Sequence, residues 1–132
     1  RHLLNSAGIA RFPQYQFEMV RPGIGLYGAA TLYGLFLRPI SRFVTRISQV
    51  KKVRAGEPVG YNCADVAGRD RLIAILPAGY ADGLRRTLGN SRGSLFIKNK
   101  RVPIVGNISM DMCMADVTET GAGPGDEAEI FG

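Results

Sequence analysis

Two tyrosines lie in short loop segments where a phenol can act as an acid or a base. Tyr61 follows a turn built on Gly56 and Pro58. Tyr80 and Asp82 follow an apolar run that ends at a proline, and functional side chains often lie in such loops. A positioned tyrosine is one of the side chains that carry out general acid–base catalysis. The alternative interpretations are a half-buried aromatic at a strand end for Tyr61 and ordinary turn chemistry around Tyr80.

A glycine-containing loop over residues 21–25 presents backbone N–H groups of the kind that bind a phosphate. The segment reads Arg-Pro-Gly-Ile-Gly and follows a short apolar strand run. Backbone amides at the start of a helix after such a strand suit an anion. Ser6 can add a hydroxyl donor, and Arg21 can bind an anion or hydrogen-bond a ring nitrogen. A plain turn is the alternative for this segment.

A third segment, residues 105–112, places a glycine before alternating methionines. Gly106 allows close backbone approach, and the amide of Met110 is free to bind a ligand if the strand edge is open. Methionines in such a row are also typical of a hydrophobic core rather than a cofactor pocket, which is the alternative interpretation.

Composition and charge limit the class of protein. The chain has 132 residues, of which 45% are hydrophobic and 21% charged, and this is typical of one globular domain rather than a disordered chain. It lacks an apolar run long enough for a transmembrane helix, and its start lacks the apolar core of a secretion signal. The net charge of +6 can indicate an anionic partner. The basic residues are scattered, however, so the densest clusters are interpreted as solvated strand ends.

The two cysteines and the single histidine predict neither a disulfide framework nor a metal site. This use of cysteine favours a reducing compartment, and we expect a cytoplasmic protein.

The chain is predicted to be mainly β after residue 40, with a strand–loop–helix unit of an α/β fold before it. Asn5 or Ser6 is the predicted N-cap of a short helix that Pro13 ends. Residues 94–97 and 102–105 are predicted to form a hairpin. The other predicted strands are residues 43–53, 71–77, 108–114 and 127–131.

The order and wording of these motifs resemble one family closely. The sequence is similar to the C-terminal part of an alanine racemase, a fold-type III enzyme that depends on pyridoxal phosphate. The matching segments are residues 2–7, 19–28, 59–61, 79–83 and 105–112, and together they span nearly the whole chain.

The resemblance implies a fold and an assembly. Residues 1–33 are expected to be the C-terminal remnant of a (β/α)₈ barrel domain. Residues 34–132 are expected to be most of the C-terminal β domain, which in the family continues beyond the last residue here. Two full-length subunits are expected to pair head to tail, so that each active site takes its barrel from one chain and its tyrosine from the other.

The resemblance also implies roles at the cofactor. Ser6 and the backbone amides of Gly23 and Ile24 are expected to bind the cofactor phosphate. Arg21 is expected to hydrogen-bond the pyridine nitrogen, with His2 supporting Arg21. Because arginine stays protonated, it cannot give its proton to the ring, which remains a weaker electron sink than a ring paired with an acid.

At the substrate, the resemblance implies a two-base racemisation of L- and D-alanine that supplies peptidoglycan precursors. Tyr61 is expected to take the α-proton of L-alanine, while the cofactor-bearing lysine works on the opposite face. The amide of Met110 is expected to hold the substrate carboxylate, and Tyr80 and Asp111 are expected to line the substrate access corridor.

The sequence departs from the family pattern at several positions. Gly60 and Asn62 flank Tyr61 where serine and glycine are common, and asparagine can retain the turn because it tolerates left-handed backbone angles. Asn107 stands where an arginine is common, which changes the charge of the corridor. No lysine lies in the family's cofactor-lysine motif, so this chain alone is predicted not to racemise alanine. The lysines present are Lys51, Lys52, Lys98 and Lys100.

Other functions remain open at this point. A relative acting on serine or on a broader range of amino acids would share these motifs. A small basic β module that binds nucleic acid is supported only by the net charge and the scattered aromatic residues. A structural or dimerisation domain that contributes Tyr61 to a neighbour describes what the segment can do by itself. Within the racemase interpretation, neither a nucleic acid nor a membrane is an expected partner.

Overall fold

The computed structural model of the chain describes residues 1–28, 34 and 36–131. The chain divides into two compact units, Arg1–Arg42 and Phe43–Phe131. The domain boundary expected between residues 33 and 34 stays a prediction, because residues 29–33 lie outside the described residues.

The first unit contains a small parallel sheet and a short helix. Strand β1 (His2–Asn5) pairs in parallel with β2 (Met19–Arg21), and helix α1 (Ser6–Arg11) follows β1 directly. The side chain of Asn5 accepts a hydrogen bond from the Gly8 amide at 2.9 Å, so the prediction of an N-cap here is confirmed. One-turn 3₁₀ helices follow at Pro13–Tyr15 and Ile24–Tyr27.

The second unit is an antiparallel sheet with a separate small hairpin. Within the described residues the sheet has seven strands in the order β3-β11-β8-β9-β10-β7-β4, and the hairpin is β5-β6. The strands are β3 (Phe43–Arg46), β4 (Gln49–Val53), β5 (Pro58–Val59), β6 (Asp65–Val66), β7 (Arg71–Leu76), β8 (Ser94–Ile97), β9 (Lys100–Val105), β10 (Cys113–Asp116) and β11 (Glu127–Phe131). One-turn 3₁₀ helices occur at Tyr61–Cys63, Tyr80–Asp82 and Arg86–Leu88.

The large sheet curls because its two edge strands are consecutive in the chain. Only Ile47 and Ser48 separate β3 from β4, which lie at opposite edges. The Ile47 amide donates to the Asp126 carbonyl and the Ser48 amide donates to the Ile75 carbonyl, both at 2.9 Å. The edges are thereby brought together around one apolar core. Its buried residues are Ile47, Ala74, Leu76, Leu84, Leu95, Ile97, Val102, Ile104, Ile108, Cys113, Ala115, Val117 and Ala128.

A smaller apolar cluster lies apart from this core and holds the β5-β6 hairpin. It consists of Val59, Ile73 and Val105, with Val53 and Met114 packed against it. Val59 is thus the apolar anchor that joins the hairpin to strands β7 and β9.

Most strand predictions are confirmed, and two need correction. The 94–105 hairpin and the strands at 71–76 and 127–131 are present. Residues 43–53 form two strands instead of one. The strand predicted over 108–114 is wrong for its first five residues, since β10 begins at Cys113.

The alternating pattern at 108–112 arises from a turn. Gly106 has φ of +63° and ends β9. The Ser109 amide donates to the Met112 carbonyl at 2.9 Å, and the Ser109 hydroxyl bonds to the Met112 amide and carbonyl. We call residues 109–112 the Ser109 turn.

The prediction of a mainly β chain is confirmed. Among the described residues, no helix has the length and apolar character needed to cross a membrane.

Candidate active site

The predicted phosphate loop is built around the hydroxyl of Ser6. Ser6 is buried at the start of α1, and its Oγ accepts hydrogen bonds from the Gly23 amide at 2.7 Å and the Gly25 amide at 3.1 Å. Both acceptor lone pairs of the hydroxyl are therefore used, so its proton is available to a further acceptor. Among the residues described, the Ile24 amide has no hydrogen-bond acceptor.

This donor set fits a phosphate. A cluster of backbone N–H groups with a hydroxyl is the usual chemistry of an anion cradle. A Cβ at position 23 would lie 3.9 Å from the Ser6 Oγ, so a side chain would begin to fill the space beside the hydroxyl. The helix that follows is a single 3₁₀ turn, so the expected contribution of a helix start is small. The donors available to a phosphate are the Ile24 amide and the Ser6 hydroxyl, because the Gly23 amide donates to Ser6 in this structure.

The predicted support of Arg21 by His2 stays a prediction, since no hydrogen bond between the two is seen among the described residues. The Arg21 guanidinium donates to the Leu3 carbonyl at 3.2 Å, across the β1-β2 pair. Both side chains are exposed, and the partner of His2 in strand pairing is Met19. The supporting contact to Arg21 in this structure is therefore a backbone carbonyl.

In the second unit, Tyr61 lies at the tip of the β5-β6 hairpin. Its side chain is 69% exposed. The base of the hairpin is joined to the sheet by a salt bridge of 2.9 Å between Arg71 and Asp65, whose side chains are 12% and 24% exposed. The hairpin thus presents a phenol to solvent on a short, anchored support.

The backbone around Tyr61 adopts a left-handed conformation on both sides. Gly60, Asn62 and Cys63 have φ of +78°, +60° and +50°. The expectation that Asn62 retains the turn in place of glycine is confirmed by this angle. We call residues 60–63 the Tyr61 turn. A Cβ at position 60 would lie 2.9 Å from the methyl carbon of Met114, which a shift of that flexible chain end would relieve, so glycine is favoured here by its φ of +78°.

Tyr80 and Met110 are held together by direct contact between two backbones. The Tyr80 amide donates to the Ser109 carbonyl and the Ala81 amide to the Met110 carbonyl, each at 3.0 Å. A Cβ at position 79 would lie 2.2 Å from the Met110 carbonyl oxygen, so only glycine permits this approach. Within the described part of the chain, the Met110 amide has no hydrogen-bond acceptor and remains available to a ligand.

Asp82 has a structural role in this arrangement. Its carboxylate accepts the Gly79 amide at 2.9 Å and so closes the 79–82 turn. The alternative interpretation of this segment, ordinary turn chemistry, therefore applies to Asp82. The Arg86 guanidinium carbon lies over the Tyr80 ring, 5.6 Å from its centroid.

Tyr61, Tyr80 and Met110 line one cavity of about 270 Å³. The other residues of its wall are Asn62, Arg86, Asn107, Ile108 and Ser109. The structure thus brings together three residues that are distant in the sequence and were predicted to act on one substrate. Asp111, predicted to line the same corridor, is exposed and is not part of this wall.

A second, more apolar cavity of about 380 Å³ adjoins Tyr61. It is lined by Gly60, Tyr61, Ile75, Asn107, Ser109, Met112 and Met114. Tyr61, Asn107 and Ser109 belong to the walls of both cavities.

Sequence reasoning missed Arg86, Ser109 and the position of Asn107 between the cavities. Because Asn107 replaces an arginine that is common in similar sequences, the sequence indicated a less positive corridor. Arg86 supplies a cationic side chain in the wall of the same cavity. The only signal for Asn107 was its departure from the arginine common in similar sequences.

Comparison with known families tests the resemblance directly. The model of the alanine racemase C-terminal domain matches residues 40–132, and that of the alanine racemase N-terminal domain matches residues 1–31. The chain belongs to the alanine racemase family. The members of this family depend on pyridoxal phosphate, and the fold expected from the resemblance, an alanine racemase C-terminal β domain, is confirmed.

Individual relatives agree with this assignment. The alanine racemase of Syntrophobacter fumaroxidans is 41% identical over 99% of this chain and 36% of its own length. The structure of alanine racemase from Clostridium difficile in complex with cycloserine has a TM-score of 0.91 at 33% identity, covering 99% of this chain and 36% of that one. Alanine racemase from Bartonella henselae with covalently bound pyridoxal phosphate has a TM-score of 0.85 at 34% identity, covering 99% of this chain and 37% of that one.

The chain therefore spans slightly more than a third of the length of these relatives. The relatives are enzymes that act on alanine.

Proposed function

We propose that this chain is the C-terminal portion of an amino-acid racemase that interconverts L-alanine and D-alanine on pyridoxal phosphate. The observation that carries the proposal is the cavity of about 270 Å³ whose wall contains Tyr61, Tyr80 and Met110, the last with an amide that has no acceptor among the described residues. An exposed phenol beside an unpaired backbone donor suits a small amino acid, because one group can move a proton and the other can hold a carboxylate.

The cofactor would be held by the first unit. Ser6 and the amide of Ile24 have donors to offer a phosphate, with the Gly23 amide beside them. Arg21 would hold the pyridine nitrogen through a guanidinium N–H donor. When bound, pyridoxal phosphate supplies an electron sink that acidifies the α-carbon of the amino acid.

Tyr61 would move the proton on one face of the substrate. In the direction from L- to D-alanine, its Oη takes the α-proton while a base on the opposite face returns a proton to the same carbon. The Met110 amide would orient the substrate carboxylate, and Tyr80 and Asp111 would line the approach. The second base is the cofactor lysine of the family, which none of the four lysines of this chain matches, so this chain alone does not racemise alanine.

The remaining parts of the proposal concern assembly and context. The active protein is a homodimer in which the tyrosine of one subunit completes the site of the other, and its product is D-alanine for peptidoglycan. The protein acts in the cytoplasm, which is supported by two cysteines that form no disulfide.

The test uses the full-length protein that carries this chain together with its preceding barrel region. Exchange of the α-proton of L-alanine in D₂O is followed by NMR, and D-alanine is measured in parallel. We expect Tyr61→Phe to reduce racemisation by about 10²- to 10⁴-fold, the range that one acid–base group contributes. Tyr15→Phe is the matched control, because Tyr15 is an exposed tyrosine of the first unit and belongs to neither cavity wall.

Each result has a distinct meaning. A loss confined to Tyr61→Phe supports a two-base racemase. If the α-proton of L-alanine still exchanges at the wild-type rate in Tyr61→Phe, Tyr61 is not the base. Bound cofactor without exchange on alanine contradicts the proposed substrate and directs the assay to serine and larger amino acids.

A further inference from the structure

The Tyr61 turn has few contacts of its own to hold it. Two successive non-glycine residues, Asn62 and Cys63, have φ in the left-handed region. Each such residue costs about 1 kcal/mol or more, and the conformation persists only when the surroundings determine it. Inside the turn there is one hydrogen bond, from the Cys63 amide to the Gly60 carbonyl at 3.3 Å.

One side chain outside the turn supplies the missing constraint. The Asn107 Nδ2 donates to the Tyr61 carbonyl at 3.0 Å. In the described part of the chain, no other group outside the Tyr61 turn forms a hydrogen bond to residues 60–63. The carbonyl belongs to Tyr61 itself, so this contact fixes the peptide from which the phenol projects.

The orientation of the Asn107 amide is fixed in turn by Asn90. The Asn90 Nδ2 donates to the Asn107 Oδ1 at 3.0 Å. If the Asn107 amide were rotated by half a turn, its oxygen would face the Tyr61 carbonyl oxygen, and both contacts could not be kept. The two asparagines and the Tyr61 carbonyl therefore form one directional chain of hydrogen bonds.

Both asparagines are anchored to the rigid end of β9. The Asn90 amide donates to the Gly106 carbonyl at 2.9 Å, and Asn107 directly follows Gly106. Gly106 in turn approaches Val59 so closely that a Cβ there would lie 3.1 Å from the Val59 carbonyl oxygen. This chain of hydrogen bonds therefore fixes the tip of the β5-β6 hairpin relative to the end of β9.

We propose that Asn107, oriented by Asn90, is a positioning residue that sets the Tyr61 phenol for proton transfer. This inference rests on the proposed function of Tyr61 as a base. Asn107 acts through its bond to the backbone of Tyr61, so its loss moves the phenol without removing it. A displacement of about 1 Å at a reacting group can lower a rate by about 10²-fold.

The experiment compares three variants of the full-length enzyme with its cofactor bound. Asn107→Asp keeps the shape and the bond from Asn90 but replaces the donor to Tyr61 with an oxygen. Asn90→Gly removes the orienting amide and keeps the left-handed backbone, since Asn90 has φ of +56°. Asn99→Gly is the matched control, because Asn99 has φ of +62° in another hairpin and lies outside both cavity walls.

We expect kcat to fall by about 10- to 100-fold in Asn107→Asp and by about 3- to 10-fold in Asn90→Gly. KM for L-alanine is expected to stay unchanged in Asn90→Gly, which adds no charge and lies outside both cavity walls. The primary isotope effect with α-deuterated L-alanine rises in both variants, and that with α-deuterated D-alanine does not, because the step at Tyr61 becomes slower. The double variant is no slower than Asn107→Asp, since both residues act through one contact. Asn99→Gly leaves all of these values unchanged.

A second measurement does not depend on activity. Hydrogen exchange by mass spectrometry is expected to show faster amide exchange at residues 60–63 in Asn107→Asp and Asn90→Gly, and unchanged exchange in β7 and β9. The cofactor absorbance spectrum confirms that each variant is folded and loaded.

These readouts separate the two hypotheses. If Tyr61→Phe retains activity, the proposed function of Tyr61 fails, whatever the exchange data show. If Tyr61→Phe is inactive while Asn107→Asp keeps wild-type kcat and isotope effects, the positioning role is overturned and the proposed function stands. Faster exchange without loss of kcat also overturns it, because the contact would then serve only stability.

Discussion

The two hairpins of the second unit are held in place in different ways. The β8-β9 hairpin lies within the seven-stranded sheet, and its strands bury Leu95, Ile97, Val102 and Ile104 in the core. The β5-β6 hairpin forms a two-stranded sheet of its own, and its apolar anchor is Val59. Each carries successive non-glycine residues in the left-handed region, at 98–99 and at 62–63.

The difference shows how a chain can separate stability from positioning. Burial fixes the β8-β9 hairpin, and its turn only has to reverse the chain. Polar contacts from other elements fix the tip and base of the β5-β6 hairpin, through Asn107 at Tyr61 and Arg71 at Asp65. Segments with few buried apolar contacts open at low free energy, so the second hairpin can be adjusted without unfolding the sheet.

The largest effect is expected from truncating the buried side of the β8-β9 hairpin. Leu95 is fully buried, so Leu95→Ala leaves a cavity and lowers the free energy of unfolding by about 2–5 kcal/mol. Urea unfolding measures the loss. Leu88→Ala is the control, since that side chain is 36% exposed and its truncation costs less. Equal losses in the two variants would contradict the core as described.

A smaller effect is expected from pH, through the buried cysteine of β10. Burial raises the pKa of the Cys113 thiol from 9.0 to about 12. In the unfolded chain the thiol ionises from about pH 9, so folding loses stability as the pH rises from 9 towards 12 and loses none below that range. At pH 10.5 the loss is about 2 kcal/mol.

The comparison that isolates this loss uses two cysteine variants. Free energies of unfolding are measured at pH 8 and pH 10.5. Cys113→Ala is expected to lose about 2 kcal/mol less than the wild type over this interval. Cys63→Ala is expected to behave as the wild type, because Cys63 lies exposed in the Tyr61 turn. If Cys113→Ala shows the wild-type dependence on pH, the thiol is not shielded as described.

The smallest effect is expected from glycine in the two left-handed turns. Residues 98 and 99 connect β8 and β9 with the φ signs of a type I′ turn, which favours glycine at its second position. Asn99→Gly should therefore raise the free energy of unfolding by about 0.5 kcal/mol. Asn62→Gly should also raise it, because Asn62 has φ of +60° in the same left-handed region. A loss of stability in either variant would contradict left-handed strain at that position.

Local patterns predicted those elements whose cause is local. Two apolar runs around the polar residues 98–101 were enough to predict the 94–105 hairpin, although the turn itself is only residues 98–99. Asn5 or Ser6 at a helix start was enough to predict a cap. The same rule of alternation failed at 108–112, because a turn closed by Ser109 produces an alternating pattern without a strand partner. The pairing of β11 between β3 and β8 depends on contacts between residues up to 88 positions apart, which no local window contains.

The candidate site was predictable only in part. Resemblance to a family, and not spacing, predicted that Tyr61, Tyr80 and Met110 act together. The bonds that Asn107 makes to Tyr61 and Asn90 depend on the end of β9 lying against the hairpin, so they could not be derived from residue types. The predicted support of Arg21 by His2 stays a prediction, and the bond from Arg21 to the Leu3 carbonyl was not predicted.

The contact between Gly79 and the Met110 carbonyl also limits how this protein can evolve. A cavity wall usually changes its selectivity by exchanging side chains, but this part of the wall consists of two backbones in contact. Any substitution of Gly79 would displace the amide proposed to hold the substrate. A change in substrate selectivity must therefore come from neighbours whose side chains line the cavity, such as Asn62 and Arg86. In a library of variants selected for activity, position 79 is expected to retain glycine.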